Sequence, residues 1–351
     1  MHAVRLHAFG PAENLRYEEV DDPEPGAGQV RIAVSAAGVH LIDTSLRAGQ
    51  QMGPLPLPDL PAIPGREVAG TVDGLGQGVA PSWLGARVVA HLGPASSGYA
   101  TRAVCDVERL HVIPDDASDS AAVTMIGTGR TAMAILDRGR IGTADIVVVT
   151  AAAGGIGSLL VQAARNAGAT VVAAVGGPVK VAHARTRGAD IVVDYDEASW
   201  ANTVRAELDG RAVTVALDGV GGDKGRQALE VLGPGGRLLL YGWSSGSATA
   251  LTSMDLFGRG TTAIGRHRAW SLTNAGTDSP ARGARHGGTG HWHDDPGGRP
   301  ELPVGASGRG PSSHRVAGDH RQDGAHDRRP AMTNSPTPHR IHGPGPGRLE
   351  G

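Results

Sequence analysis

The residues Thr150-Ala151-Ala152-Ala153-Gly154-Gly155-Ile156-Gly157 stand between an apolar run, Ile146–Val149, and a helix-forming stretch, Ser158–Asn166. Such a turn lets backbone N–H groups approach a pyrophosphate, and the positive end of the following helix favours its charge. Ala151 occupies the first glycine position of a dinucleotide fingerprint, and Gly154 and Gly157 the other two. A glycine turn alone also serves any tight strand–helix connection. Here strand, turn, helix and the next strand all follow at suitable spacing, which favours nucleotide binding over a plain turn. The second strand ends in Val175-Gly176-Gly177-Pro178-Val179-Lys180. It lacks the acidic residue that would bind a ribose 2′-hydroxyl. Lys180 is either a solvated lysine or the partner of a 2′-phosphate, so NADPH is favoured over NADH.

Other chemistries are excluded by count. One cysteine, Cys105, rules out a disulfide framework and a multi-cysteine zinc or iron–sulfur site. His7, His91 and His111 are scattered and read as surface or core residues. A formal net charge of −2 offers no footprint for nucleic acid or an anionic membrane. The opening residues, 1–10, lack the apolar stretch of a secretory signal. The long uncharged run from Ile146 to Ala164 carries Gly154, Gly155 and Gly157 at its middle, so it is a strand, turn and helix and not a span. The expectation is a soluble cytoplasmic protein with no nucleic-acid or membrane partner.

Two kinds of element must position these residues. Residues 1–118 hold short β-type runs broken by Gly and Pro, such as Val30–Val34, Val68–Val72, Arg87–Ala90 and Leu110–Ile113, predicting an irregular, mostly-β domain. Residues 119–265 alternate strand and helix. Their near-continuous apolar runs, Ile146–Val149, Thr170–Val175, Ile191–Val193, Val213–Leu217 and Arg237–Tyr241, predict a doubly wound α/β parallel sheet buried on both faces.

The ordered set of motifs resembles the zinc-free quinone oxidoreductases, related to zeta-crystallin, of the medium-chain dehydrogenase/reductase superfamily. The matching residues are Ala36-Ala37-Gly38-Val39-His40-Leu41-Ile42-Asp43-Thr44, Ile63-Pro64-Gly65-Arg66-Glu67-Val68-Ala69-Gly70, Gly98-Tyr99-Ala100, Gly129-Arg130-Thr131-Ala132, the Ala153–Gly157 turn and Leu232-Gly233-Pro234-Gly235-Gly236-Arg237. The resemblance covers residues 1–265. It implies a GroES-like catalytic domain, a Rossmann domain, a cleft between them and hydride transfer from NADPH to a quinone or α,β-unsaturated carbonyl. It also implies a homodimer. An enoyl-thioester reductase of the same superfamily is the alternative.

By the same resemblance His40, Asp43 and Thr131 contact nicotinamide and substrate, and Ala153, Gly154, Gly155, Ile156 and Gly157 hold the pyrophosphate. Lys180 and Tyr195 hold the 2′-phosphate end, and Tyr241, Gly242, Trp243 and Ser244 close over the nicotinamide ribose. Zinc-dependent relatives carry a histidine where Arg66 stands, a cysteine near the position of His40 and a run of four cysteines; this chain has none of these. No metal is expected. Two positions depart from the family: its asparagine is His40, and its tyrosine two residues after Asp43 is Ser45. His40 is a candidate donor of a hydrogen bond or a proton, since an unperturbed imidazole titrates near pH 6.5. A packing histidine is the other reading.

The last 86 residues, 266–351, hold nine of the fifteen histidines, 26 Gly plus Pro and only six Val, Ile or Leu. They cannot bury enough apolar surface to offset ordering entropy and read as irregular or disordered. Back-translation of Pro311–Asp327 within codon degeneracy, read one base later, yields a segment like the family's terminal helix and Gly-Lys-x-x-Leu strand. The tail therefore reads as frameshifted, with the GroES-like domain incomplete. On that reading the product could be catalytically defective and bind nucleotide only. A genuine histidine- and arginine-rich metal or nucleic-acid tail is the rival, weakened by irregular histidine spacing and the lack of interleaved aromatics.

Overall fold

The computed structural model describes residues 1–51, 56–93 and 96–265; the expectations for 266–351 lie outside the described residues. Alternating apolar residues near the N-terminus build an antiparallel ladder. β1 (His2–Leu6) pairs with β2 (Leu15–Glu19). A five-stranded antiparallel sheet follows, comprising β3 (Gln29–Ala37), β4 (Glu67–Leu75), β5 (Arg87–His91), β6 (Arg102–Asp106) and β7 (Leu110–Val112), in the order β6-β3-β4-β5-β7. Successive strand residues face opposite sides, so Val30, Ile32, Val68, Val72, Val88 and Ala90 share one buried cluster. Between β3 and β4 lies the short helix α1 (Leu41–Arg47), with His40 at its N-cap.

A helical connector then leads into the second sheet. In α2 (Asp119–Thr124) the Ser118 hydroxyl caps the first turn, accepting the Ala121 N–H at 3.1 Å. A π-helical turn, Met125–Gly129, separates it from α3 (Arg130–Gly139). Such widened turns recur at functional sites because they re-aim the residues they carry.

The remaining elements are β8 (Ile146–Thr150), α4 (Gly155–Asn166), β9 (Thr170–Val175), α5 (Pro178–Arg185), β10 (Ile191–Asp194), α6 (Trp200–Glu207), β11 (Val213–Asp218), α7 (Gly222–Glu230), β12 (Leu232–Leu240), α8 (Ser253–Phe257) and β13 (Thr262–Gly265). Their six strands are all parallel, in the order β10-β9-β8-β11-β12-β13. Alternate residues feed two cores, one on each face: Val147, Val149, Val171 and Leu217 on one, Val148, Val172, Ala216 and Leu238 on the other. That is the burial pattern the apolar runs predict. Strand order reverses between β8 and β11, opening a crevice at their C-terminal ends where α/β sheets bind ligands.

One strand differs from the prediction. β12 begins at Leu232, five residues before the expected Arg237, because its register against β11 jumps from Val213↔Leu232 to Val215↔Arg237. This irregularity absorbs Gly233-Pro234-Gly235-Gly236, residues that a regular ladder would exclude.

Candidate active site

Two clusters meet at the π-helical turn. The first is built on Glu67, whose carboxylate is buried at 3% exposure at the start of β4. Its Oε2 lies 2.6 Å from His40 Nε2. Its Oε1 faces His91 Nε2 at 4.0 Å, from the end of β5. Gly127 of the π-helical turn lies against the same carboxylate, and a Cβ there would stand 1.7 Å from Oε1. Only glycine admits so close an approach.

His40 is placed by α1. Asp43 Oδ2 accepts the His40 backbone N–H at 2.9 Å and the Tyr99 hydroxyl at 2.7 Å. The Asp43 carboxylate is thus engaged in fixing the loop and the tyrosine, and it is itself buried. The Glu67 hydrogen bond holds the His40 imidazole above the ordinary histidine range, against the opposing effect of burial. For His91 burial dominates and pushes the imidazole down. Its Nδ1 accepts the Gly93 N–H at 3.0 Å, so the neutral ring carries its proton on Nε2, toward Glu67. One buried carboxylate therefore faces two imidazoles of opposite tendency. Thr131, the second residue of α3, is half-buried beside Arg130.

The second cluster is the turn between β8 and α4. Ala151 takes φ +48°, the conformation the fingerprint's first glycine normally supplies. Gly157 is required sterically: a Cβ there would stand 2.2 Å from the Ala151 carbonyl oxygen and 2.8 Å from Ala152 Cα. Its absence lets α4 approach the strand. Gly154 is the N-cap, Ala153 precedes it, Gly155 and Ile156 open the helix, and no acidic residue lies in the first turn. The amides there are unopposed by a carboxylate, as an anion requires. A side chain at Gly155 would touch Thr128 of the π-helical turn at 3.4 Å, so that turn abuts both clusters.

Beyond it, Lys180 is exposed in α5. Tyr195 follows β10, and the structure places Lys224, not Lys180, on its ring, with Nζ 4.1 Å from the centroid. Lys224 also pairs with Asp196. Tyr241 packs its ring against Gly219 and donates to the Thr150 carbonyl at 3.3 Å. Gly242, Trp243 and Ser244 continue this loop. The Ser244 N–H reaches the Gly219 carbonyl at 3.1 Å, and Trp243 is largely exposed. Glu67, His91, Tyr99 and Lys224 were not singled out from sequence as site residues. The motif that holds Glu67 was visible; its pairing with His40, 27 residues away, was not.

Among the described residues no group of three or more His, Cys, Asp or Glu side chains is arranged to hold a metal ion. His40 and Glu67 bond each other directly, and Arg66 adjoins them.

Comparison with known proteins matches both domains. Residues 26–153 match the alcohol dehydrogenase GroES-like domain, and residues 155–271 match the zinc-binding dehydrogenase domain. The chain is 34% identical over 272 residues to a 2-haloacrylate reductase of Burkholderia, covering 76% of this chain and 81% of the relative. It is 31% identical over 249 residues to a quinone oxidoreductase of Pseudomonas aeruginosa, covering 71% and 75%. Among solved structures it resembles a Pseudomonas syringae quinone oxidoreductase, with TM-score 0.68, 29% identity and coverage of 78% and 83%. It also resembles the Escherichia coli quinone oxidoreductase complexed with NADPH, with TM-score 0.68, 27% identity and coverage of 78% and 85%. The chain belongs to the quinone oxidoreductase-like branch of the medium-chain dehydrogenase/reductase superfamily. It is an oxidoreductase of that class, built for a small-molecule substrate, and no helix among the described residues is long and apolar enough to cross a membrane.

Proposed function

We propose that this chain is an NADPH-dependent, zinc-independent reductase acting on a quinone or an α,β-unsaturated carbonyl. The observation that carries this reading is the π-helical turn that abuts both the β8–α4 nucleotide turn and the His40–Glu67 pair. The first turn of α4 receives the pyrophosphate, Lys224 supplies a cation on Tyr195 for a 2′-phosphate, and Lys180 supplies a second, exposed cation from α5. Asp194 approaches the same end, but its Oδ1 accepts the Gly177 and Asp196 amides, both at 2.9 Å, and is already engaged. NADPH, when bound, supplies the hydride. His40, held in its acid form by Glu67, supplies the proton or hydrogen bond that neutralises charge developing on the acceptor oxygen.

The test is spectrophotometric. NADPH oxidation with a quinone or an enone is expected, and turnover of an enoyl thioester alone would reassign the substrate. NADPH binding with no turnover of any of the three would reduce the chain to a nucleotide-binding product. For the cofactor, Lys180→Ala and Lys224→Ala are each expected to raise the Kd for NADPH about fivefold, near the upper worth of an exposed charge pair. The Kd for NADH should stay unchanged in both.

By the family resemblance the protein works as a homodimer. We further propose that residues 266–351 are read out of frame. The domain match ends at residue 271, and the aligned region leaves about a fifth of the 2-haloacrylate reductase without a counterpart. Resequencing across codons 260–330 is expected to restore a family-like translation in the adjacent frame. An unambiguous nucleotide sequence without one would reject the proposal.

A further inference from the structure

Two arginines beside the His40–Glu67 pair lack partners. Among the described residues every other half-buried arginine donates to an acceptor: Arg5, Arg31, Arg47, Arg87, Arg102, Arg109, Arg226 and Arg237 all do. Arg66 and Arg130 are half-buried and have no such acceptor among the described residues. Desolvating a guanidinium without an acceptor is costly, so the arrangement calls for an anion that the described residues do not supply.

Both arginines stand on segments that adjoin Glu67. Arg66 directly precedes Glu67, and its carbonyl accepts the Leu92 N–H at 2.7 Å, tying it to the end of β5 next to His91. Arg130 opens α3 directly after the π-helical turn, whose Gly127 rests on Glu67. Neither acid of the site is left for them. Glu67 is engaged by His40, and Asp43 by Tyr99 and the His40 amide. After burial and the opposing pull of Glu67, Arg130, Arg66 and His40 all press the His91 imidazole down, so both guanidiniums act on this site. Two guanidiniums and the His40 imidazole thus lie within electrostatic reach of His91.

We propose that Arg66 and Arg130 form a carboxylate-binding subsite, so that the preferred acceptors are α,β-unsaturated acids. This rests on the reductase reading above. Planar guanidinium groups match the geometry of a carboxylate and fix its plane. With the carboxylate held there, the hydride adds to the β-carbon and the carbon–carbon π pair moves onto the α-carbon, spreading charge into the carboxylate that the guanidiniums face. A proton from His40 then completes the α-carbon. The cofactor is oxidised, the acid leaves saturated, and His40 is reloaded from water. The same guanidiniums could instead meet a cofactor phosphate, and the experiment separates the two.

Crotonate and methyl crotonate serve as the charged and neutral substrates, a quinone as the reference acceptor, and butyrate as a non-reactive probe. For the unaltered full chain, kcat/KM for crotonate should exceed that for the ester by about tenfold or more. In Arg66→Gln and Arg130→Gln the KM for crotonate, and the Kd for butyrate on the NADPH-loaded protein, should each rise about tenfold. The ester's KM and the Kd for NADPH should stay within about twofold. Equal use of acid and ester by the unaltered chain overturns the proposal, and that comparison stands even if a variant does not fold. A rise in the NADPH Kd with crotonate unaffected also overturns it, assigning the arginines to a cofactor phosphate. Quinone reduction without any preference for the acid sinks this inference alone. No NADPH oxidation with quinone, acid or ester sinks the reductase reading itself.

Discussion

His40→Ala is expected to lower kcat with a quinone or an enone about 10²-fold or more while changing NADPH affinity by no more than about twofold, because it removes the proposed proton donor and leaves the pyrophosphate turn and the 2′-phosphate end intact. The substitution also strips the buried Glu67 carboxylate of its 2.6 Å partner. His40→Gln is therefore the companion variant: it keeps a donor toward Glu67 but has no titratable proton, and it should be nearly as impaired. The pH profile discriminates further. The Glu67 hydrogen bond raises the His40 pKa above the ordinary histidine value of 6.5. Activity that needs the imidazolium should be full on the acid side and fall as pH rises through a value above 6.5. Any stability from the pair follows the same sign: it is present below the unfolded-state pKa and lost as pH rises through the folded one. A profile whose alkaline limb survives unchanged in His40→Gln would show that another group supplies the proton. Unchanged quinone turnover in His40→Ala would remove His40 from the mechanism.

Asp218→Ala is expected to destabilise the nucleotide domain by about 3–5 kcal/mol, because it orphans four donors at once in a fully buried site. The Asp218 carboxylate, at 0% exposure, ends β11 at the crevice where strand order reverses. Oδ1 accepts the Thr150 hydroxyl at 2.8 Å and the Val220 N–H at 2.9 Å; Oδ2 accepts the Thr249 hydroxyl at 2.6 Å; the Gly221 N–H lies 3.3 Å from each. Asp218→Asn would retain the shape but turn an amide against some of these donors, so it too should destabilise, by less. The thermal midpoint of Asp218→Ala should fall by roughly 10 °C on the usual scaling for domains of this size. NADPH binding should weaken as well, since the Gly219–Gly221 turn that Asp218 pins also receives the Ser244 amide of the Tyr241 loop. A midpoint within about 2 °C of the parent would show that water replaces the carboxylate without loss.

Much of this protein was legible along the chain, and the reasons are local. The first four residues of β8, Ile146–Val149, are buried because all four are apolar. The Ala151–Gly157 turn reads as a phosphate cradle because left-handed backbone and close helix approach require small residues at fixed spacing. Where β12 starts was not legible, since its first residues pair only after a register jump against β11.

The tertiary structure alone decided which side chains meet. Nothing in the spacing of His40, Glu67 and His91 indicates that one buried carboxylate faces both imidazoles; that depends on how β4 and β5 pair beyond α1. Asp43 accepts the Tyr99 hydroxyl, 56 residues further on, as well as the His40 amide, and so anchors the His40 loop. Lys224 reaches Tyr195 from α7, while the more conspicuous Lys180 stays in solvent. Arg66 and Arg130 look alike along the chain to any other arginine, and only the folded structure shows them sheltered without an acceptor. Sequence periodicity and turn chemistry are properties of neighbouring residues, so they specify elements and the nucleotide turn. Electrostatic partnership depends on register and burial set by elements tens of residues apart, so it exists only once those elements have packed.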